Sequence, residues 1–146
     1  MSTPNQDQKQ ALPKPNFCKA YAKAFGEFAR ALEENMNSAD HSKYVDFSSV
    51  LAAVKPVLMK YELSISQKIH PTNGSTANVE TIIAHASGEQ RSFGIVAVPV
   101  SKNDAEGYES ALVCARRHSL SCALGVAPEY VGGEKDDDGN AACGIS

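Results

Sequence analysis

The sequence predicts an α+β fold, an antiparallel three-stranded β-meander packed against helices. Three observations carry that reading. Apolar residues recur at helical spacing near both ends of the chain, they alternate with polar ones in the middle, and turn signals divide that middle into three runs. A length of 146 residues suits one domain with a core of its own.

The elements follow in order. Residues 1–15 hold three prolines among Gln, Asn and Lys without periodicity, and are expected to be disordered. Asn16 is a candidate N-cap for a helix from Phe17 to about Asn35. Its Phe17, Tyr21, Phe25, Phe28 and Leu32 fall, at about 100° per residue, inside an arc of about 80°. Lys19, Lys23, Glu27, Arg30 and Glu34 lie opposite; alternating charges at i,i+4 describe a solvated, salt-bridged face better than a DNA-binding stripe.

After a polar loop over residues 37–46, Asp46 is a candidate N-cap for a second helix carrying Val50, Leu51, Val54, Val57, Leu58 and Tyr61. Pro56 lies inside that pattern, so a kink or a break into two short helices is expected near Lys55. Strands are expected at Leu63–His70, Ala77–Ala86 and Glu89–Val98, joined by PTNGS and Ser87-Gly88. The last helix runs from Ala105 to a C-cap at Gly125. Its wheel shows two apolar arcs, Tyr108, Ala111, Leu112, Ala115, Ser119 and Cys122 on one, Val113, Leu120 and Leu124 on the other. Two arcs call for two packing partners, the sheet and either another helix or another subunit.

Composition excludes several classes. The net charge of −3 divides unevenly: residues 1–128 carry 13 basic and 12 acidic residues, residues 129–146 one basic and five acidic. A near-neutral core, residues 16–128, therefore precedes what reads as a flexible acidic tail, residues 129–146, which argues against a strong non-specific DNA condenser. No apolar run approaches the roughly 20 residues of a membrane span, and the polar N-terminus lacks a signal-peptide core, so a cytoplasmic protein without membrane association is expected. Cys18, Cys114, Cys122 and Cys143 form no CxxC pair and are expected to be reduced core-filling residues.

Catalytic motifs are missing as well. The chain has no GxxxxGK[ST], no GxGxxG after a strand, no GxSxG and no HExxH. His41, His70, His85 and His118 are scattered, and Asp136–Asp138 sit between glycines that would not hold ligands convergent on a metal. By elimination the chain reads as a binding protein, not an enzyme, with no cofactor and no metal. The positive signal is Arg116-Arg117 within the small-residue helix. An Arg stem between apolar arcs needs a carboxylate, carbonyl or phosphate for its guanidinium. Arg116 has Glu109 only at a poor spacing of seven, and Arg117 has no acid at helical spacing, so phosphate contact is the better reading for Arg117.

The stretch YESALVCARRHSLSCALGVAPE, followed by DDDGNAA, resembles the C-terminal signature of the ERF family of phage single-strand annealing proteins, SAxTYARRYALxxLLGI before an acidic segment. SKYVDFSSVLAAVKPVLMKYELSISQ is similar to that family's SKYADLxxVLxAVRPxLxKxGLAxxQ, and the two blocks with the order of elements span about residues 17–142. His118 stands where the family usually has Tyr, and Glu62 where Gly is common, so a positive φ at that turn is not assured.

The resemblance implies ATP-independent binding of single-stranded DNA, annealing of complementary strands in homologous recombination, and assembly into a ring or filament. It also implies a core similar to that of the eukaryotic annealing recombinases, a bacterial host cytoplasm for a phage-encoded chain, and an exonuclease or single-strand-binding protein as further partner. Carried over, it puts Arg116 and Arg117 on the phosphate backbone; Lys43, Tyr44 and Lys55 match the other block. Two roles stand for Tyr44, stacking on a base or packing in the core. Arg91 joins the set on its charge and its place in the third strand. An oligomeric adaptor without DNA affinity is the alternative.

Overall fold

The computed structural model describes residues 13–38 and 47–127. Three helices and one sheet follow in the order α1 (Pro15–Ser38), α2 (Phe47–Lys60), β1 (Leu63–His70), β2 (Thr76–His85), β3 (Gln90–Pro99) and α3 (Ala105–Leu124). The sheet is antiparallel in the order β1-β2-β3, as expected of a meander. Expected disorder over residues 1–12, the Asp46 cap, Lys43, Tyr44, the acidic tail and Cys143 lie outside the described residues.

Helix α1 begins at Pro15, a position where the missing N–H costs nothing. Asn16 is not its cap. The carboxylate of Glu89, in the β2–β3 turn, accepts from the backbone N–H of Asn16 at 3.2 Å and from its side-chain amide at 2.6 Å, so a distant residue covers the helix N-terminus. Phe17, Ala20, Ala24, Phe28 and Leu32 are buried. The two alanines pull the buried face to one side of the predicted arc and leave Phe25, at its rim, 48% exposed.

Helix α2 continues through Pro56 as one helix, without the expected break. Pro56 is exposed, so the Ala52 carbonyl that loses its helical N–H partner lies on the solvent side. Glu62 ends the turn after α2 with φ 58°, a left-handed conformation that its side chain did not prevent.

Alternation decides the sheet. Ala77, Val79, Thr81 and Ile83 of β2 are buried beneath the helices, while Asn78, Glu80, Ile82 and Ala84 point to the other face. The register against β3 shifts between Glu80 and Ile82, where Phe93 and Gly94 stand opposite Thr81 alone. Gly94 takes φ 88°, which a residue with a Cβ would resist. This bulge inverts the parity of β3: beyond it Phe93 and Arg91, not Ser92, share the helix-covered face with Ile83.

Asp104 caps α3, accepting from Gly107 N–H at 2.7 Å, and Gly125 closes it with φ 69°. The helix does meet two partners, but along its length more than around it. Ala111, Cys114 and Ala115 pack on Ala77, Val79 and Val98 of the sheet, whereas Leu120, Ala123 and Leu124 enter the core built from α1, α2, Leu63 and Ile83. Of the predicted second arc only Val113 stays exposed, at 38%. Cys18 and Cys122 are reduced as expected but exposed, not core-filling, whereas Cys114 fills the core as expected but is in a disulfide.

Candidate nucleic-acid interface

Arg116 and Arg117 are adjacent on α3, so about 100° separates them around the axis. The fold uses that difference. Arg117 turns inward and is 7% exposed. Arg116 turns outward, and its guanidinium carbon lies 4.6 Å from the centre of the Phe47 ring, the first residue of α2. Its Nε donates to Gln67 Oε1 at 3.1 Å, and the Gln67 amide donates back to the Arg116 carbonyl at 3.0 Å. Of the partners expected for an Arg here, a carboxylate, carbonyl or phosphate, the structure supplies the carbonyl oxygen of an amide side chain, with an aromatic face beside it, which hold the cation without neutralising it. Of the two arginines it is Arg116 that meets solvent, while Arg117 is buried.

Gln67 is itself anchored. Its Nε2 also lies 3.1 Å from Thr81 Oγ1, and Thr81 shares a 2.5 Å hydrogen bond with Ser119 Oγ. Thr81 and Ser119 are fully buried, so the chain Arg116–Gln67–Thr81–Ser119 runs from solvent into the core across β1, β2 and α3. Gln67, Thr81 and Phe47 were missed by sequence reasoning. A signal existed: in LSISQKIH, Gln67 takes the place of an apolar residue on the face of Leu63, Ile65 and Ile69.

Lys55 is exposed on the Phe47–Leu51–Lys55 row of α2, roughly 12 Å along the axis from Phe47 at about 1.5 Å per residue. Arg116 and Lys55 are thus linked through α2, Arg116 at its first residue and Lys55 about two turns further along. Arg91 does not join them. It stands on β3, the opposite edge, with its guanidinium 4.8 Å from the centre of the Phe93 ring. Burial pushes the hydroxyl of neighbouring Tyr21 up, and the Arg91 charge opposes that shift.

Elsewhere His70, Glu80 and Ser92 lie side by side across the three strands on the face away from the helices, with Glu80 accepting from Ser92 at 2.5 Å and 2.8 Å from His70 Nε2. The carboxylate stands between the hydroxyl and the imidazole, so the imidazole does not reach the hydroxyl as a base would have to. Among the described residues no three His, Cys, Asp or Glu side chains converge as metal ligands, and no helix is long and apolar enough to cross a membrane.

A small meander covered by helices on one side, with a buttressed surface arginine where α2, β1 and α3 meet, defines an α+β scaffold that presents a cation to solvent. The chain belongs to the ERF superfamily, whose model matches residues 17–144. That membership points to strand annealing in recombination. No curated protein and no solved structure matches the chain.

Proposed function

We propose that this protein binds single-stranded DNA and anneals complementary strands during homologous recombination, without ATP and without a catalytic step of its own. Residues 16–128 are the annealing core, and the protein works as a homo-oligomer, a ring or filament, in which few cations per protomer add up along one strand. The likeness to eukaryotic annealing recombinases, a phage origin, action in the host cytoplasm, and an exonuclease or single-strand-binding partner belong to the same reading. Arg116 carries it. Its guanidinium is exposed, oriented by Gln67 and backed by Phe47, an arrangement suited to a phosphate oxygen. Lys55 extends the contact along α2, and Lys43 and Tyr44, which precede that helix in the chain, are assigned to it too. The acidic tail, residues 129–146, competes with DNA for this surface.

Fluorescence anisotropy with a labelled oligonucleotide, single-stranded and then duplex, across a salt series without ATP, tests this. The wild type is expected to bind the single strand with a steep log-salt dependence and to anneal a complementary strand. Arg116→Ala should weaken binding and reduce the slope by about 0.7, the single-strand value for one phosphate contact. A folded protein that binds no single strand at low salt would overturn the reading and leave an oligomeric adaptor.

A further inference from the structure

The aromatic residues of α1 and β3 run from the core to the surface. Tyr21 is their hub: its ring centre lies 5.5 Å from that of Phe93 and 6.0 Å from that of Phe25. Arg91 covers the outer side of Phe93 at 4.8 Å, and among the described residues it forms no ion pair. Phe25 is the exposed end of the run, yet it is not loose. A Cβ on Gly125, the glycine closing α3, would meet its Cε2 at 2.2 Å, so the ring rests against bare backbone and is held where water reaches it. The bulge at Gly94 brings the parts together, because without the inverted parity Arg91 and Phe93 would face the other side of the sheet.

A fixed, half-exposed aromatic ring joined through Tyr21 and Phe93 to a guanidinium without an ion pair among the described residues fits a flat, anionic, unpaired ligand. A single apolar residue at the surface needs no explanation, but this ring ends an aromatic run whose other end carries a stacked arginine. We propose that Phe25, Tyr21, Phe93 and Arg91 form a second single-strand contact, on the sheet edge opposite Arg116, where an unpaired base stacks on Phe25 and a phosphate further along the same strand meets Arg91. This rests on the single-strand-binding reading above. The two contacts differ in chemistry: the Arg116 flank reads charge, and the Phe25 patch reads the face of a base, without regard to sequence.

The experiment uses the full chain and two labelled oligonucleotides of equal length, oligothymidylate and its abasic counterpart with the same phosphates. The wild type is expected to prefer the base-bearing strand by about tenfold or more, and equal affinity would overturn the proposal. Phe25→Ala should remove that preference while leaving the log-salt slope unchanged, and Phe25→Trp should keep it. Arg91→Ala should reduce the slope by about 0.7 on both strands. If Arg116→Ala weakens binding and Phe25→Ala does not, this inference falls and the proposed function stands. A change of oligomeric state in Phe25→Ala, seen by sedimentation, would make the ring a subunit contact and overturn the proposal. Absence of any single-strand binding by the wild type overturns both.

Discussion

Glu62 holds φ 58°, where an L-residue with a side chain stands at a cost of about 1–2 kcal/mol. What holds it there is backbone bonding on both sides. Its N–H reaches the Met59 carbonyl at 3.2 Å, and its own carbonyl accepts from Ala86 at 3.0 Å, which ties the end of α2 to the end of β2. Because the conformation is set by neighbours and not by Glu62 itself, Glu62→Gly should stabilise the protein by about 1 kcal/mol. Urea denaturation checks this; an unchanged or lower midpoint would show that the glutamate side chain contributes more than its backbone costs. The same scale shows where sequence reading stops. ARRH tells that two arginines are adjacent, and helical geometry tells that they diverge, but which one meets solvent depends on how α3 rolls on the sheet. Thr81 and Ser119, with the packing of Ala111, Cys114 and Ala115 on the sheet, fix that roll, and no local pattern joins them.

At the scale of elements, the strands and α3 were legible almost to the residue, since alternation, PTNGS, Ser87-Gly88 and Gly125 are local signals. The misses are non-local. Glu89 caps α1 across the fold, a partner that the residues next to the helix, Asn16 among them, do not reveal. Pro56 predicts a kink or a break in α2, and no break occurs, since the tertiary burial of Val54, Val57 and Leu58 on either side outweighs one missing hydrogen bond. The seat of α3 on β2 makes a prediction of its own. Thr81 and Ser119 hold each other in a buried interface, so truncating Thr81 strands Ser119, and truncating Ser119 leaves Thr81 only its bond from Gln67. Ser119→Ala and Thr81→Val should each cost about 1–3 kcal/mol, and the double variant little more than the larger single loss. Strictly additive losses in that double-mutant cycle would mean that the hydroxyls act independently.

Over the whole molecule, three carboxylates join elements that the apolar core leaves to be oriented. Glu27 of α1 accepts from the Tyr61 hydroxyl and, at 3.2 Å, from Lys60 at the end of α2. Glu80 of β2 links β1 and β3 through His70 and Ser92, and Glu89 binds the β2–β3 turn to the start of α1. All three are held below the ordinary glutamate value of 4.5: Glu27 first by the Tyr61 hydrogen bond, Glu80 first by Ser92. At Glu89 burial pushes the carboxyl up, but the hydrogen bonds from Ser87, Asn16 and Phe17 outweigh it. A carboxylate whose folded pKa lies below its unfolded one stabilises the fold fully above the unfolded value and loses that contribution as pH falls through the folded one. Stability should therefore be level from neutral pH down to about 5 and decline below 4.5, with unfolding taking up protons in that range. Urea titrations at stepped pH would measure the decline, and the combined variant Glu27→Gln, Glu80→Gln, Glu89→Gln should show a shallower one. An equal acid slope in that variant would place the acid-sensitive groups elsewhere in the chain. A shallower slope would mean that the same three contacts that orient α1 against α2 and the sheet set its acid limit, and with it the lowest pH at which the Arg116 flank and the Phe25 patch keep their relative positions.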